Sequence, residues 1–299
     1  MKTQNTNTGY HMTSIQYIND EFVAEVNGVT ISSKNKDYLK RKIAAAQERA
    51  PAAIKAVEQF AINDRFTFTE QLVGMVATGQ TASAIITGEG GLGKTYTVIK
   101  ALKAAGMRDI TELDVGDIVP DRSSYRIVKG FSTAKGLYKI LYENRNSILV
   151  FDDCDSILRD PDALNILKGA LDSYDKRIIT WNTSFNDDGL PRMFEFKGGI
   201  VFVSNRDPSK IDQAVRSRSM NVDLAMTTDQ KLERMEHIMT LREFLPNVPV
   251  SFKTDALNVI KENKDIASEI SLRTLINGAK IRTTGSKNWA QLAKYMLVN

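Results

Sequence analysis

The amino-acid sequence predicts an α/β fold in which a mostly parallel sheet is sandwiched by helices and followed by a small all-helical domain. Three observations lead to this prediction. Short apolar runs alternate with segments of helical periodicity between residues 84 and 203, as expected for strands that are buried on both faces. Glycine-rich or acidic residues directly follow two of these runs. From Met226 onwards the periodicity is helical.

Four strands and three connecting helices are predicted within this region. The strands are the apolar runs at 84–87, 125–128, 148–151 and 199–203, and the helices lie at 94–105, around 137–141 and at 163–171. A further helical stretch at 37–62 is interrupted at Pro51, which suits the first turn of a second helix. Thr227 and Gln230 have the spacing of a capping box. The expected organisation is an N-terminal tail or extension at 1–36, an α/β domain at 37–226 and a helical lid domain at 227–299.

Composition and charge exclude several classes of protein. The 299 residues carry a net charge of +4, which permits contact with nucleic acid without requiring it. A single cysteine, Cys154, excludes an internal disulfide, and His11 and His237 lack the cysteine partners of a structural zinc site. No apolar run is long enough for a membrane helix. The polar residues 1–10, read as a loose tail, lack the core of a signal peptide, so we expect no membrane partner and a cytoplasmic location.

The most specific motif is the segment at 88–95, Gly88-Glu89-Gly90-Gly91-Leu92-Gly93-Lys94-Thr95. It matches G-x-x-x-x-G-K-[ST] in full and lies between a predicted strand and a predicted helix. Its glycines let backbone N–H groups turn toward one anion, and the helix N-terminus adds partial positive charge. We expect Lys94 to reach the β- and γ-phosphates and Thr95 to ligate Mg²⁺, with Tyr96 as a further nucleotide contact. The segment therefore predicts a P-loop NTPase fold that binds ATP and Mg²⁺, in preference to an accidental glycine-rich turn or a dinucleotide site.

An acidic pair ends the third predicted strand. Asp152 is the candidate for the Mg²⁺ contact, and Asp153 is then placed to orient or deprotonate the attacking water. The alternative is that both are turn residues at a strand end. Cys154 follows directly and is interpreted as a packing residue.

The segment 151–156, Phe151-Asp152-Asp153-Cys154-Asp155-Ser156, resembles the strand-end motif of the AAA+ ATPase family. The resemblance extends over roughly residues 60–285, and the chain is also similar to small AAA+ proteins of bacteriophages. It implies ATP hydrolysis. The family usually has Glu where this chain has Asp153, and the shorter side chain sets the carboxylate about 1 Å further back, a displacement that can cost about a hundredfold in rate. The rate of hydrolysis is therefore left open.

Further motifs follow in the order typical of the family. Asn205 ends the fourth strand and resembles the first sensor residue, which bonds the γ-phosphate or the attacking water; alone it reads as a turn residue. Arg218, in Ser217-Arg218-Ser219, resembles the arginine finger that acts on the adjacent subunit's nucleotide, with Arg216 as second choice and a solvated basic turn as the alternative. Arg273 resembles the second sensor arginine, or is an ordinary surface arginine.

Two segments concern the substrate. Residues 177–181 and 193–196 are predicted to pair as a hairpin around Asn186-Asp187-Asp188-Gly189, which either contacts substrate or is an edge hairpin. In the loop after the second strand, Phe131 is expected either to contact a polypeptide substrate or to pack under the next helix. Alternatively, Lys129 and Lys135 bind phosphates. Neither segment decides between protein and DNA.

The resemblance implies a homo-oligomeric ring, a hexamer, that remodels or translocates a macromolecule. The alternative is a slow ATP switch that loads a helicase, clamp or other replication partner onto DNA. A third interpretation, a monomeric kinase or GTPase, has no role for Arg218. For a phage-encoded chain the expected location is the host cytoplasm.

Overall fold

A computed structural model of the protein describes residues 15–18, 21–26, 29–33, 36–37, 39–40, 59–114, 120–130, 132–181 and 189–299. Contacts between residues divide the chain into two compact units, Met1–Ala61 and Ile62–Asn299. In the described residues, no helix is long and apolar enough to cross a membrane.

The first unit contains an antiparallel sheet that the sequence patterns did not predict. Its strands are β1 (Gln16–Ile18), β2 (Glu21–Val26) and β3 (Val29–Ser33), in that order. The strands are only three to six residues long, so they leave no long apolar run in the sequence. The predicted loose tail at 1–10 and most of the helical stretch predicted at 37–62 lie outside the described residues.

The second unit has the predicted α/β architecture. Its elements are α1 (Ile62–Ala77), β4 (Ser83–Thr87), α2 (Lys94–Ala104), β5 (Arg108–Asp109), β6 (Ser124–Lys129), α3 (Ala134–Glu143), β7 (Ile148–Asp152), α4 (Pro161–Ala170), β8 (Ile178–Thr180), β9 (Met193–Glu195), β10 (Gly199–Val203), α5 (Gln213–Ser217), β11 (Met220–Asp223), α6 (Thr228–Met239), α7 (Val250–Glu262), α8 (Leu272–Thr283) and α9 (Trp289–Val298). Six strands form one sheet in the order β11-β4-β10-β7-β6-β5, with every neighbouring pair parallel. The predicted fold class is therefore confirmed.

The sheet has a hydrophobic core on each face. Side chains alternate along the central strands, so Phe151 and Phe202 pack with α3 and α4 whereas Val150 and Val203 pack with α1 and α2. Full burial on both faces explains why the sequence shows these strands as continuous apolar runs.

Strand register sets the two edges of the sheet. Val203 pairs with Asp152, and Asp152 pairs with Lys129, so the carboxyl ends of β10, β7 and β6 meet at one edge. The amino ends meet at the opposite edge. There β10 starts at Gly199, where a Cβ would lie 2.6 Å from Val76 Cγ1, so only glycine lets β10 pass this close to α1.

The hairpin and the helical region are both present. Strands β8 and β9 pair antiparallel, and Tyr138 holds the segment by donating a hydrogen bond to Pro191 O (2.7 Å); the turn residues 186–188 and Phe131 lie outside the described residues. Helices α6 to α9 share a third core, and the capping box of Thr227 and Gln230 starts α6 as predicted.

Candidate active site

The glycine-rich loop connects the end of β4 to the start of α2. Gly88, Gly91 and Gly93 all have positive φ, at 134°, 73° and 93°. A Cβ at Gly88 would lie 2.8 Å from Leu224 C, so this position needs glycine for space as well as for conformation. Gly93 is the N-cap of α2 and supplies no side-chain hydrogen bond. The first N–H groups of α2 are therefore left to an outside acceptor, which is the arrangement that binds phosphate.

Lys94 is the most tightly held residue of the site. Its ammonium donates to Gly88 O, Glu89 O and Asn205 Oδ1, each at 2.7 Å, and the residue is 5% exposed. Burial lowers the pKa of Lys94, and Arg273 lowers it too, whereas the carboxylates of Asp153 and Asp152 act in the opposite direction. A bound phosphate would replace at least one of these acceptors, since all three ammonium protons are in use.

Thr95 and Asp152 bring two side-chain oxygens together beside the loop. The Thr95 hydroxyl donates to Asp152 Oδ1 at 2.8 Å, and the Lys129 ammonium lies 3.4 Å from Asp152 Oδ2. Mg²⁺ binds through one or two protein oxygens together with nucleotide phosphates and water. The two side chains therefore fit the predicted metal role, and strand pairing supplies Lys129 as a partner that the sequence patterns did not assign to Asp152.

Asn205 links Lys94 to Asp153. Its Oδ1 accepts from Lys94, and its Nδ2 donates to Asp153 Oδ1 at 2.8 Å. Asp153 has a positive φ of 56°, which is uncommon for a residue other than glycine, and its N–H donates to Val203 O at 3.0 Å. Burial raises the pKa of Asp153, the Asp152 carboxylate adds to the rise, and Lys94 opposes it.

Cys154 and Ser204 connect the acidic pair and Asn205 to neighbouring segments. Burial raises the pKa of the Cys154 thiol to about 11, with Asp152 adding to the effect, and the thiol donates to Val128 O. Cys154 is therefore a neutral packing group rather than a thiolate nucleophile. Ser204 Oγ donates to Asp155 Oδ1 at 2.7 Å and so joins the segments after β10 and β7. The sequence patterns predict no role for Ser204, because this bond becomes visible only in the folded chain.

The helical region contacts the loop directly. Leu272 N donates to Gly91 O at 2.9 Å, and Lys231 forms an ion pair with Glu89. Arg273 lies beside the same glycine, since a Cβ on Gly91 would be 3.8 Å from Arg273 Cδ.

The remaining predicted nucleotide contacts differ in orientation. Leu92 is 1% exposed and packs in the core beneath α1 and α2, so only its backbone is open to a ligand. Tyr96 is 52% exposed, and its hydroxyl donates to Glu243 at 3.4 Å rather than facing the loop.

Arg218 and Arg216 lie at the other edge of the sheet. Ser83 Oγ, at the start of β4, donates to Arg218 O at 3.2 Å, whereas the glycine-rich loop follows the end of β4. The five residues of β4 separate the start of the strand, beside Arg218, from its end at the loop by about 17 Å. Arg218 is exposed, and its guanidinium donates to Ala214 O. Arg216 Nε is buried without a hydrogen-bond partner among the described residues. Neither arginine reaches the loop of its own chain.

Comparison with known proteins identifies the family. The family model described as "ATPase family associated with various cellular activities (AAA)" matches residues 84–226. An uncharacterized 36.7 kDa protein in the nrdC-mobD intergenic region of Enterobacteria phage T4 is 33% identical over 250 residues, which are 78% of this chain and 73% of that protein. These matches confirm the predicted resemblance both to this family and to bacteriophage proteins. The chain therefore belongs to the AAA ATPase family and is an ATP-binding member of it.

Proposed function

We propose that this protein hydrolyses ATP with Mg²⁺ as one subunit of a homo-oligomeric ring, a hexamer, and uses the cycle to remodel or translocate a macromolecule. One observation carries the proposal. The loop, the acidic pair and Asn205 lie together at the carboxyl edge of the sheet, whereas Arg218 lies exposed at the amino edge. A cation placed there meets a nucleotide only when a second copy presents one. The proposed location is the cytoplasm, that of the host for a phage-encoded chain.

In the proposed cycle, the chain binds the triphosphate with groups that are already positioned. The uncapped start of α2 offers backbone N–H groups, and Lys94 exchanges loop carbonyls for β- and γ-phosphate oxygens. Thr95 and Asp152 are the residues that would hold Mg²⁺, which neutralises phosphate charge when bound. The loop and its lysine therefore need little rearrangement to bind.

Hydrolysis would use Asp153 and Asn205 as a pair. The Asn205 amide holds Asp153 through Oδ1, which leaves Oδ2 for the attacking water. The raised pKa of Asp153 brings the carboxylate nearer to the basicity that a general base needs. Arg218 of the adjacent copy would stabilise the charge that develops on the γ-phosphate.

The helical region would report the state of the nucleotide. Arg273 and the Leu272–Gly91 hydrogen bond contact the loop from α8 and its start, and the Glu89–Lys231 ion pair contacts it from α6. A change in the loop on hydrolysis would reach two helices of this region at once, which supports its role as a lid.

A mixing experiment tests the composite site. Lys94→Ala subunits would fail to bind ATP but keep Arg218, and Arg218→Ala subunits would bind ATP but lack the arginine. Turnover should be near zero for each variant alone and should recover when the two are mixed. If mixing recovers nothing while each variant still assembles, Arg218 does not act across subunits.

The second candidate is a slow ATP switch that loads a helicase, clamp or other replication partner onto DNA. It is favoured by Asp153, which is shorter than the usual glutamate, has a strained backbone and is bonded to Asn205. ATP turnover measured with and without DNA separates the candidates: vigorous turnover stimulated by the substrate excludes the switch, and slow turnover that Asp153→Glu accelerates excludes the fast remodelling enzyme.

A further inference from the structure

A cavity of about 520 Å³ lies at the amino edge of the sheet, away from the glycine-rich loop. It is bounded by the residues that precede β4, β6, β7, β10 and β11. We call it the amino-edge groove and define it by Arg122, Asn146, Tyr174, Arg177, Lys197 and Arg218. Because neighbouring strands are about 4.8 Å apart, the strand starts from β11 to β6 span about 19 Å.

Positive charge dominates the groove. Its lining contains four cations, Arg122, Arg177, Lys197 and Arg218, and one carboxylate, that of Asp172. Lys197 is paired with Glu195 at 3.1 Å. Within the part of the chain that the structure describes, neither Arg122 nor Arg218 forms an ion pair with a carboxylate. When Glu195 is counted together with Asp172, four cations are balanced by two carboxylates, which leaves the groove with a net charge of +2.

Arg177 is a structural cation in the wall of the groove. Its guanidinium donates to Ala170 O at 2.9 Å and to Gly198 O at 2.6 Å, and it stacks 5.2 Å from the centre of the Phe196 ring. These carbonyls satisfy its hydrogen bonds without neutralising its charge. Burial lowers the pKa of Arg177, and repulsion from Arg122 adds to the effect. An anion bound between the two arginines would relieve that repulsion.

An exposed aromatic side chain stands beside these cations. Tyr174 lines the groove and is 76% exposed. Neutral hydrogen-bonding groups, including Gln80, Asn146 and Ser173, also line the groove. Cations that follow a groove, together with an aromatic ring on which a base can stack, are the features that bind single-stranded nucleic acid without reading its sequence.

We propose that the amino-edge groove binds single-stranded nucleic acid, with its phosphates on Arg122, Lys197 and Arg177 and a base stacked on Tyr174. The cations are distributed along an edge of about 19 Å, whereas the phosphates of one nucleotide from an adjacent copy would engage only the Arg218 end. An unpaired base is needed to stack on Tyr174, which selects a single strand over a duplex. Binding in the groove requires no ATP and uses the part of the groove away from Arg218, so this inference goes beyond the proposed function.

The test uses the full chain and a fluorescently labelled oligonucleotide of mixed sequence, with anisotropy measured from about 50 to about 200 mM salt. The double variant Arg122→Ala/Lys197→Ala should bind more weakly, with a salt slope shallower by about 1.4, since each phosphate contact on a single strand contributes about 0.7. The matched control, Lys103→Ala/Lys139→Ala, removes two exposed lysines from α2 and α3, outside the groove. It should keep the original slope. Arg177 is left unchanged because it holds the wall together.

A second pair of variants isolates stacking from charge. Tyr174→Ala should weaken binding by about fivefold or more, since one base on an aromatic ring contributes about that much affinity. Tyr174→Phe should bind like the unchanged protein because it keeps the ring, and neither variant should alter the salt slope. Thermal unfolding of every variant checks that the fold is retained.

Three results would overturn the inference. One is no detectable oligonucleotide binding by the unchanged protein at the lowest salt. Another is an equal loss of affinity in the groove variant and its lysine control. The third is a groove variant that binds as before but no longer assembles, which would assign the groove to a second copy of the chain. Because no ATP is present, none of these results bears on nucleotide binding by Lys94.

Discussion

The carboxyl and amino edges of the same six-stranded sheet differ in how their charges are balanced. At the carboxyl edge, the charged and amide side chains are hydrogen-bonded to one another or to the loop. The hydrogen bonds donated by Lys94, Thr95 and Asn205 are 2.7–2.8 Å long. At the amino edge, Arg122 and Arg218 are exposed and have no ion-pair partner among the described residues.

This difference shows which edge is complete within one chain. Side chains of opposite charge that already hydrogen-bond one another can replace some of these internal bonds with bonds to a ligand, as in a preorganised site. A surplus of one sign needs its counter-charge from another molecule. The carboxyl edge therefore fits the site that holds the nucleotide, and the amino edge fits a surface that acts on something brought to it.

The largest expected effect lies at the amino edge. Arg218→Ala should lower ATP turnover by about a thousandfold or more, the scale of losing an arginine finger, while leaving ATP affinity within a few-fold of the unchanged protein. Turnover and binding of a fluorescent ATP analogue are measured on the same preparation. Arg159→Ala, which removes an exposed arginine elsewhere, is the control. A parallel loss of affinity would show that Arg218 acts on its own chain's site, and would contradict the assignment of different roles to the two edges.

At the carboxyl edge, a substitution at Lys94 should lower ATP affinity. Lys94→Ala removes the ammonium that would exchange loop carbonyls for phosphate oxygens, and should weaken ATP binding by about a hundredfold, because a hydrogen bond to a charged group contributes about 1.5–3 kcal/mol. Titration with a fluorescent ATP analogue measures it. Lys100→Ala, on the same helix but paired with Glu70 at the surface, should bind ATP normally. Tight binding by Lys94→Ala would contradict the assignment of the loop.

The pH dependence of ATP turnover tests whether Asp153 acts as the general base. Its pKa is raised above the ordinary 3.8, first by burial and then by Asp152. A raised pKa means that the carboxylate becomes protonated, and is lost as a base, at a higher pH than an ordinary aspartate. Turnover should therefore fall about tenfold per pH unit on an acid limb that begins above the usual range. Asp153→Asn should abolish this limb along with most of the activity; an unchanged limb in that variant would assign it to another group.

The smallest expected effect concerns Lys129. Its ammonium lies 3.4 Å from Asp152 Oδ2 and is mostly exposed, so the pair contributes at most about 1 kcal/mol. If Asp152 holds Mg²⁺ as proposed, Lys129 competes with the metal for this carboxylate, so Lys129→Met should lower the Mg²⁺ concentration needed for half-maximal ATP binding by about two- to fivefold. Lys135→Met is the control. A higher Mg²⁺ requirement would show instead that Lys129 orients Asp152 for the metal.

Several parts of the fold were not predictable from local patterns. The edge strands β5 and β11 are short or half-exposed, so they lack the apolar run that marks a strand buried on both faces. The sheet at 16–33 has the same property. The hairpin of β8 and β9 was predictable because two runs rich in β-branched and aromatic residues flank the turn-forming residues 186–189. Its attachment through Tyr138 was not, because it depends on a contact across 53 positions of sequence.

Local sequence patterns were sufficient to predict the glycine-rich loop, the central strands and the family resemblance. These depend on adjacent residues: a strand, a glycine-rich turn and a helix start occupy one continuous segment, and burial on both faces leaves an apolar run. Contacts between distant side chains depend instead on how the chain folds. The Thr95–Asp152 contact spans 57 positions and the Lys94–Asn205 contact spans 111, and both follow from strand order. Strand order also sets Arg218 and Arg122 at the amino edge, because parallel strands collect all their starts on one side and all their ends on the other.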